Sequence, residues 1–307
     1  MTKVLVATVK PFAPKAVEEI KKVCDDAGYE MILLERYEDK NKLLKAVADV
    51  DALIIRSDKI DKEVIDSATN LKIVVRAGAG YDNVDLGSAT IKGVVVMNTP
   101  GQNSNAVAEL ALGMMVFQAR GQFNGKPGTE LKGKTLGIHA YGNVGKLVAH
   151  IAKGFGMDVY AFDPFIDKAV IEADGVKVVH TAGELYQKCQ YISLHIPANE
   201  KTKQSINYSM LSEMPKGATL VNTARKEVID EAGLLEMFEK REDFNYISDI
   251  APDCLSELQE KFPGRFYCTP KKMGAQTAEA NINAGIAAAK QIVGFLEKGD
   301  KTFQVNK

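Results

Sequence analysis

The chain has 307 residues, 46% of them apolar and 26% charged, and its 39 basic and 40 acidic side chains leave a net charge of −1. That length suits about two globular domains, each with its own apolar interior, and the charge balance excludes an electrostatic partner such as nucleic acid or an anionic membrane surface. The opening "MTKVLVATVKPF" turns polar before a signal-like segment develops, and no stretch approaches the roughly 18 apolar residues of a membrane span, so a cytoplasmic protein is expected. Cys24, Cys189, Cys254 and Cys268 stand far apart, with no CxxC or Cys/His spacing, so neither disulfides nor a metal site is expected.

From the N-terminus, short β-branched runs alternate with helical stretches: "KVLVATV", "APKAVEEIKKVCDDAG", "EMILLER", a Lys/Ala helix, "VDALIIRS", "IDKEVIDSAT", "LKIVVRAGAG" and "GVVVMNTP". Strands separated by helices at this spacing predict βαβ units around a parallel sheet. A longer helix, "NSNAVAELALGMMVFQAR", follows; its nearly continuous apolar face suits a helix lying between two cores. After a Gly/Pro/Lys loop, Gly121 to Lys134, the alternation restarts at "KTLGIHAYG" and continues through "MDVYAFDP", "VKVV", "YISLHIP", "ATLVNTAR", "YISDIA" and "RFYCTP". An Ala-rich helix, "TAEANINAGIAAAKQIVGFLEKG", comes last. The expected fold is α/β, with two doubly wound parallel-sheet domains.

The segment from Leu136 to Pro164 has the order strand, glycine turn, helix, strand, acidic residue. That is the order a dinucleotide pyrophosphate at a helix N-terminus requires. Tyr141, Gly142, Asn143, Val144 and Gly145 form the turn; Gly142 lets backbone approach the pyrophosphate and Gly145 lets the helix pack closely on the sheet. Asp163, 21 residues beyond Gly142, is placed for the ribose 2′-hydroxyl and favours NAD over NADP. Ala140 replaces the first glycine of the fingerprint, which a negative φ would permit. His139 reads as a core histidine.

The landmarks "IIRSDKID", "VVRAGAGYDNVD", "MNTPGQNSNAVAE", "SLHIPANEKTK", "LVNTARKEVIDEAGL" and "TPKKMGAQTAEAN", in that order around the nucleotide turn, make the chain resemble the D-isomer-specific 2-hydroxyacid dehydrogenase family, within it the phosphoglycerate dehydrogenase branch. The resemblance covers nearly the whole chain. It implies a flavodoxin-like substrate domain from residues 1–100 plus 283–307, a Rossmann NAD-binding domain from residues 101–282, a cleft between them and a homodimer, with the Gly121 to Lys134 arm suited to pairing. Arg225 matches the arginine that holds the substrate carboxylate and polarises the keto oxygen, chemistry suited to a planar fork of donors. Gly78, Ala79 and Gly80 match a carboxylate-binding loop of backbone N–H groups. Asp249 and Gly274 match positions near the nicotinamide, Thr223 and Ala224 the turn beside it, and His195, Ile196 and Pro197 the adenosine side, with His195 lining the site through its backbone. Arg56, Ser57, Lys59 and Asn103 fall where the branch places groups for a distal phosphate. The implied reaction is NAD-dependent oxidation of D-3-phosphoglycerate to 3-phosphohydroxypyruvate, which opens serine synthesis. The chain ends soon after its last helix, so serine feedback through an appended domain is not expected.

One departure bears on mechanism. The family's acid/base is a His directly after "TP", assisted by a Glu five residues beyond the Asp matched to Asp249; here those positions hold Lys271 and Cys254. In one reading Lys271 replaces the imidazole, kept neutral by loss of water and by the Arg225 cation, and needs no partner to fix a tautomer. Lys272 then belongs to the surface. In a second, catalysis has been lost and the chain is an NAD-binding regulator, as in the family's corepressor branch; in a third, the enzyme acts on glyoxylate, hydroxypyruvate or another D-2-hydroxy acid.

Overall fold

The computed structural model describes residues 1–306. The chain divides into two compact units, Met1–Asn103 together with the chain from Gln276 onward, and Ser104–Ala275. In the first unit, β1 (Lys3–Thr8), β2 (Glu30–Glu35), β3 (Ala52–Ile55), β4 (Ile73–Arg76) and β5 (Val95–Asn98) form one sheet in the order β2-β1-β3-β4-β5, every pair parallel. This is the flavodoxin-like order, and the chain reverses its direction of build-up between β1 and β3. Side chains alternate across a strand, so β1 feeds both faces. Val4 and Val6 pack with Ile20 of helix Pro14–Asp26 and with Ala284, Ala288 and Ile292 of helix Ala278–Lys298. Leu5 and Ala7 pack with Leu43, Val47, Val64 and Ile65 of helices Lys40–Val47 and Lys62–Ser67. Burial on both faces is what makes these strands read as continuous apolar runs.

The second unit carries β6 (Thr135–His139), β7 (Asp158–Phe162), β8 (Lys177–Val178), β9 (Tyr191–Leu194), β10 (Thr219–Asn222), β11 (Asn245–Ser248) and β12 (Phe266–Cys268). Their order is β12-β11-β10-β9-β6-β7-β8, again with every pair parallel. The switch point lies between β6 and β9, where the His195 N–H donates to the His139 carbonyl over 2.9 Å. In open α/β sheets the ligand crevice opens at the carboxyl ends of the strands beside such a point. The expected α/β class with two doubly wound parallel sheets is therefore the observed one. Helix Ser104–Ala119, read from its apolar surface as lying between cores, contributes Ala108, Ala111, Leu112, Met114 and Met115 to the second unit's interior, together with Val148, Ala149 and Ala152 of helix Asn143–Gly154.

Candidate active site

At the β6 edge, the two conspicuous glycines are glycine for different reasons. A Cβ on Gly145 would stand 2.3 Å from the Ala140 carbonyl oxygen and 2.9 Å from Ile138 Cγ2, so the helix can meet the strand only without a side chain there. Gly142, the N-cap, has φ −78° and is exposed, and a Cβ on it would meet nothing within 4 Å. Nothing in the protein asks for glycine at 142. The bare backbone, with the exposed Asn143 and half-buried Val144 opening a helix of 12 residues, is a surface to which an anion can come close.

Two expectations at this turn are corrected. Ala140 has φ +80°, not a negative φ. Its N–H donates to the Phe162 carbonyl over 2.9 Å and its carbonyl lies where a Cβ on Gly145 would stand, so the strand and helix around it hold the left-handed conformation although the residue carries a Cβ. Tyr141, expected at the cofactor, is fully buried. Its hydroxyl donates to Asp174 Oδ2 over 3.0 Å and its N–H to Asp163 Oδ2 over 2.7 Å, so it supplies a fixed backbone and no ligand surface. Asp163 also accepts the Phe165 N–H over 2.8 Å through Oδ1. One such bond per carboxylate oxygen leaves capacity for a further donor such as a ribose hydroxyl.

Neither histidine beside the turn is suited to acid catalysis. His139 is buried, its Nδ1 3.3 Å from the Tyr186 hydroxyl, and burial lowers its pKa to about 4. His195, half-buried with Nε2 2.9 Å from Ser193 Oγ, is lowered to about 3 by burial and then by the neighbouring His139 charge. Both are neutral near pH 7. Pro197 follows on the exposed surface.

Beyond β9 on the far side of the switch point, β10, β11 and β12 end in the remaining second-unit candidates. After β10, Asn222 folds the turn: its Nδ2 donates to the Arg225 carbonyl over 2.9 Å and its Oδ1 accepts the Ala224 N–H over 3.0 Å. Arg225 is left exposed, one guanidinium N–H donating to the Ala224 carbonyl over 3.0 Å. Thr223 Oγ1 is buried with no hydrogen-bond partner among the described residues, which leaves both its donor and its acceptor capacity open. After β11, Asp249 is 1% exposed, and its carboxylate is taken up by the loop that follows β12. Oδ1 accepts from Thr269 Oγ1 over 2.8 Å and from the Met273 N–H over 2.9 Å, and Oδ2 accepts from the Gly274 N–H over 2.7 Å. The Asp249 carboxylate, expected beside the nicotinamide, therefore faces its own loop. Lys271 sits exposed at the crown of that loop and makes no ion pair among the described residues. Asn222 and Thr269 were missed in sequence; only their places at a strand end and directly before "PKK" could have marked them.

In the first unit, the candidates lie at the carboxyl ends of β3 and β4. Ser57 and Lys59 are exposed. Arg56 is partly committed elsewhere: one guanidinium nitrogen donates to the Lys10 and Pro11 carbonyls over 3.2 and 3.0 Å, another donates to Asn281 Oδ1, and the group lies 5.2 Å over the Phe12 ring. Between them Asp58 is buried, accepting the Val9 N–H over 2.7 Å and the Tyr37 hydroxyl over 2.8 Å. Gly78 has φ +149°, and a Cβ on it would lie 1.7 Å from an Arg76 guanidinium nitrogen, so this glycine makes room for an arginine that sequence reading did not single out. The Ala79 carbonyl is held by Asn98 Nδ2 over 2.6 Å, while Gly80 and Asn103 are half-buried. Among the described residues, no group of three or more His, Cys, Asp or Glu side chains could hold a metal, and no helix is long and apolar enough to cross a membrane.

A doubly wound parallel sheet with a glycine turn, an acidic residue at the next strand end and an orphaned threonine hydroxyl across the switch point defines a dinucleotide-binding unit. Residues 108–259 match the family model described as the NAD binding domain of D-isomer specific 2-hydroxyacid dehydrogenase. The chain is 47% identical to the NAD+-bound 3-phosphoglycerate dehydrogenase of Entamoeba histolytica in its crystal structure, over 100% of this chain and 99% of that one, with a TM-score of 0.88. It is 37% identical over 275 residues to D-3-phosphoglycerate dehydrogenase of Methanocaldococcus jannaschii, 82% of this chain and 51% of the relative. With hydroxypyruvate reductase of Thermotoga maritima it shares 35% over 289 residues, 88% of this chain and 92% of the relative. The chain thus spans about half the length of the curated D-3-phosphoglycerate dehydrogenases that it matches. It belongs to the D-isomer specific 2-hydroxyacid dehydrogenase family, and its second unit contains that family's NAD-binding domain.

Proposed function

We propose that the chain is a cytoplasmic, homodimeric NAD-dependent dehydrogenase that oxidises D-3-phosphoglycerate to 3-phosphohydroxypyruvate, with Lys271 as general acid/base. The observation that carries this reading is the convergence, at the carboxyl edge of one sheet, of the Gly142 turn, Asp163, Thr223, Arg225 and the Asp249-held loop bearing Lys271. NAD, when bound, supplies the hydride acceptor. The backbone of Gly142 and Asn143 receives its pyrophosphate, Asp163 its ribose, and the Thr223 hydroxyl and the backbone of Ala224 and His195 line its path. Arg225 grips the substrate carboxylate and carbonyl oxygen through its exposed N–H groups. As the C2–H bond gives up its electron pair, the hydroxyl proton passes to the Lys271 amine and the C2–O bond becomes a carbonyl. Within the first unit, Gly78, Ala79 and Gly80 are the candidates for binding a carboxylate, and Ser57, Lys59, Asn103 and the remaining N–H groups of Arg56 those for binding a phosphate.

The test is Lys271→Met assayed with NADH and 3-phosphohydroxypyruvate. Turnover is expected to fall about 10²- to 10⁴-fold with NADH affinity kept, the usual worth of a positioned acid/base; turnover within a few-fold of the parent removes Lys271 from the chemistry, and no turnover at all by the parent, with NADH bound, favours a non-catalytic regulator. A second reading, reduction of hydroxypyruvate or another unphosphorylated 2-hydroxy acid's oxidised form, is favoured by the commitment of Arg56 to Lys10, Pro11 and Asn281 and by the near full-length similarity to the Thermotoga maritima reductase. Arg56→Ala with Lys59→Ala separates the two, since only a phosphorylated substrate should suffer a strongly raised KM.

A further inference from the structure

Asp249 is a buried carboxylate that accepts from Thr269, Met273 and Gly274, all in the short segment that carries Lys271. We infer that Asp249 is the anchor of the Thr269–Gly274 loop and that Thr269 is a positioning residue for Lys271; the inference rests on the reading of Lys271 as acid/base.

The geometry is that of a staple. Thr269 at the start of the loop and Met273 and Gly274 at its end all converge on one carboxylate, at 2.8, 2.9 and 2.7 Å. Pro270, Lys271 and Lys272 between them are exposed and bulge outward. The loop's backbone has few other ties; the Thr269 N–H donates to the Ser248 carbonyl over 3.0 Å, which continues the β11–β12 ladder and fixes only its first residue. The far end depends on Asp249. It is also closely fitted, since a Cβ on Gly274 would stand 2.9 Å from Asp249 Oδ2 and 3.4 Å from Val107 Cγ2. A charge-assisted bond is short and directional, so three on one carboxylate set where the crown of the loop stands. A histidine acid/base can be aimed by a carboxylate bonded to its second ring nitrogen; here a carboxylate instead grips the Thr269 hydroxyl before the lysine and two backbone N–H groups after it. Asp249 thus aims the proton-exchanging group without touching it.

The test uses the full chain with NADH and whichever of 3-phosphohydroxypyruvate or hydroxypyruvate it reduces. Thr269→Val keeps the side-chain shape and removes the hydroxyl; kcat is expected to fall about tenfold or more, with both KM values within about twofold, since misplacing a catalytic group by about 1 Å costs that order of rate. Thr269→Ser should restore kcat to within about threefold of the parent. Gly274→Ala, which pushes on the same oxygen, should reproduce the kcat loss, and in a Lys271→Met background Thr269→Val should cause no further loss. An unchanged kcat in Thr269→Val, or losses that multiply with Lys271→Met, overturns the positioning role. Amide hydrogen exchange at Met273 and Gly274 separates this from the reading beneath it: Thr269→Val should accelerate both about tenfold whatever Lys271 does. Unchanged exchange overturns the anchor, whereas a near-normal kcat in Lys271→Met alone overturns the assignment of Lys271 and leaves the anchor standing on exchange.

Discussion

Ala140→Gly should stabilise the second unit, although it puts glycine into a βα turn where alanine now stands. Ala140 is held at φ +80°, a region that costs an L-residue with a Cβ about 1–2 kcal/mol. Removing the Cβ relieves that cost, while the extra freedom of glycine in the unfolded chain takes back about 0.4–1 kcal/mol. The net expectation is about 0.5–1 kcal/mol of added stability, or about 1–4 °C in the midpoint for a unit of this size. The chain contains no tryptophan, so unfolding is best followed by scanning calorimetry or far-UV circular dichroism, with the transition of the second unit identified by its upward shift on adding NADH. Ala140→Val is the control: branching at Cβ worsens the same clash, and a loss of about 2 kcal/mol or more is expected. A lowered midpoint for Ala140→Gly, or a Val variant as stable as the parent, would refute the claim that this turn stores backbone strain.

The two neighbouring glycines should behave oppositely. Gly145→Ala drives a Cβ to 2.3 Å from the Ala140 carbonyl oxygen and should destabilise by about 1–3 kcal/mol, whereas Gly142→Ala, at φ −78° with open space, should leave the unfolding midpoint within about 1 °C while weakening NADH binding, as measured by fluorescence titration. Equal loss of stability in both would contradict the assignment. His139 gives a pH dependence. Its folded pKa of about 4 lies below the ordinary value of about 6.5, so between those values the unfolded chain binds more protons and stability falls as pH drops from 6.5 toward 4. The size is on the order of 3 kcal/mol across that window. His195, lowered to about 3 by burial, adds to this slope, so His139→Leu should make the urea-midpoint profile shallower there without flattening it, and a profile as steep as the parent's would show that this histidine is not a source.

How much was legible in the sequence differs between the sheets and the site. The strands were visible because both faces of each parallel sheet are covered, so "ALII" reads as an unbroken apolar run and "YISL" as one broken only by the buried Ser193. The glycine turn and Asp163 were visible because their chemistry acts over a short stretch of chain. Ala140 was misjudged because a φ angle depends on what surrounds the residue, here the close approach of the helix at Gly145 and the hydrogen bond to the Phe162 carbonyl on another strand. Tyr141 was misjudged for the same reason: its partner Asp174 is 33 positions away, and only folding decides whether an aromatic ring beside a glycine turn points outward or down.

By itself, the sequence determined the α/β class, the nucleotide turn and the lysine standing after Thr-Pro, because each is written in local pattern and residue type. Tertiary structure alone decided that Arg56 is partly spent on carbonyls and Asn281, that Gly78 is small for the sake of Arg76, and that Asp249 grips the loop of Lys271 from 20 to 25 positions away. The reason is physical: hydrogen bonds and excluded volume act between atoms that meet in space, and the distances between them are set by the packing of strands, which no local stretch of chain contains.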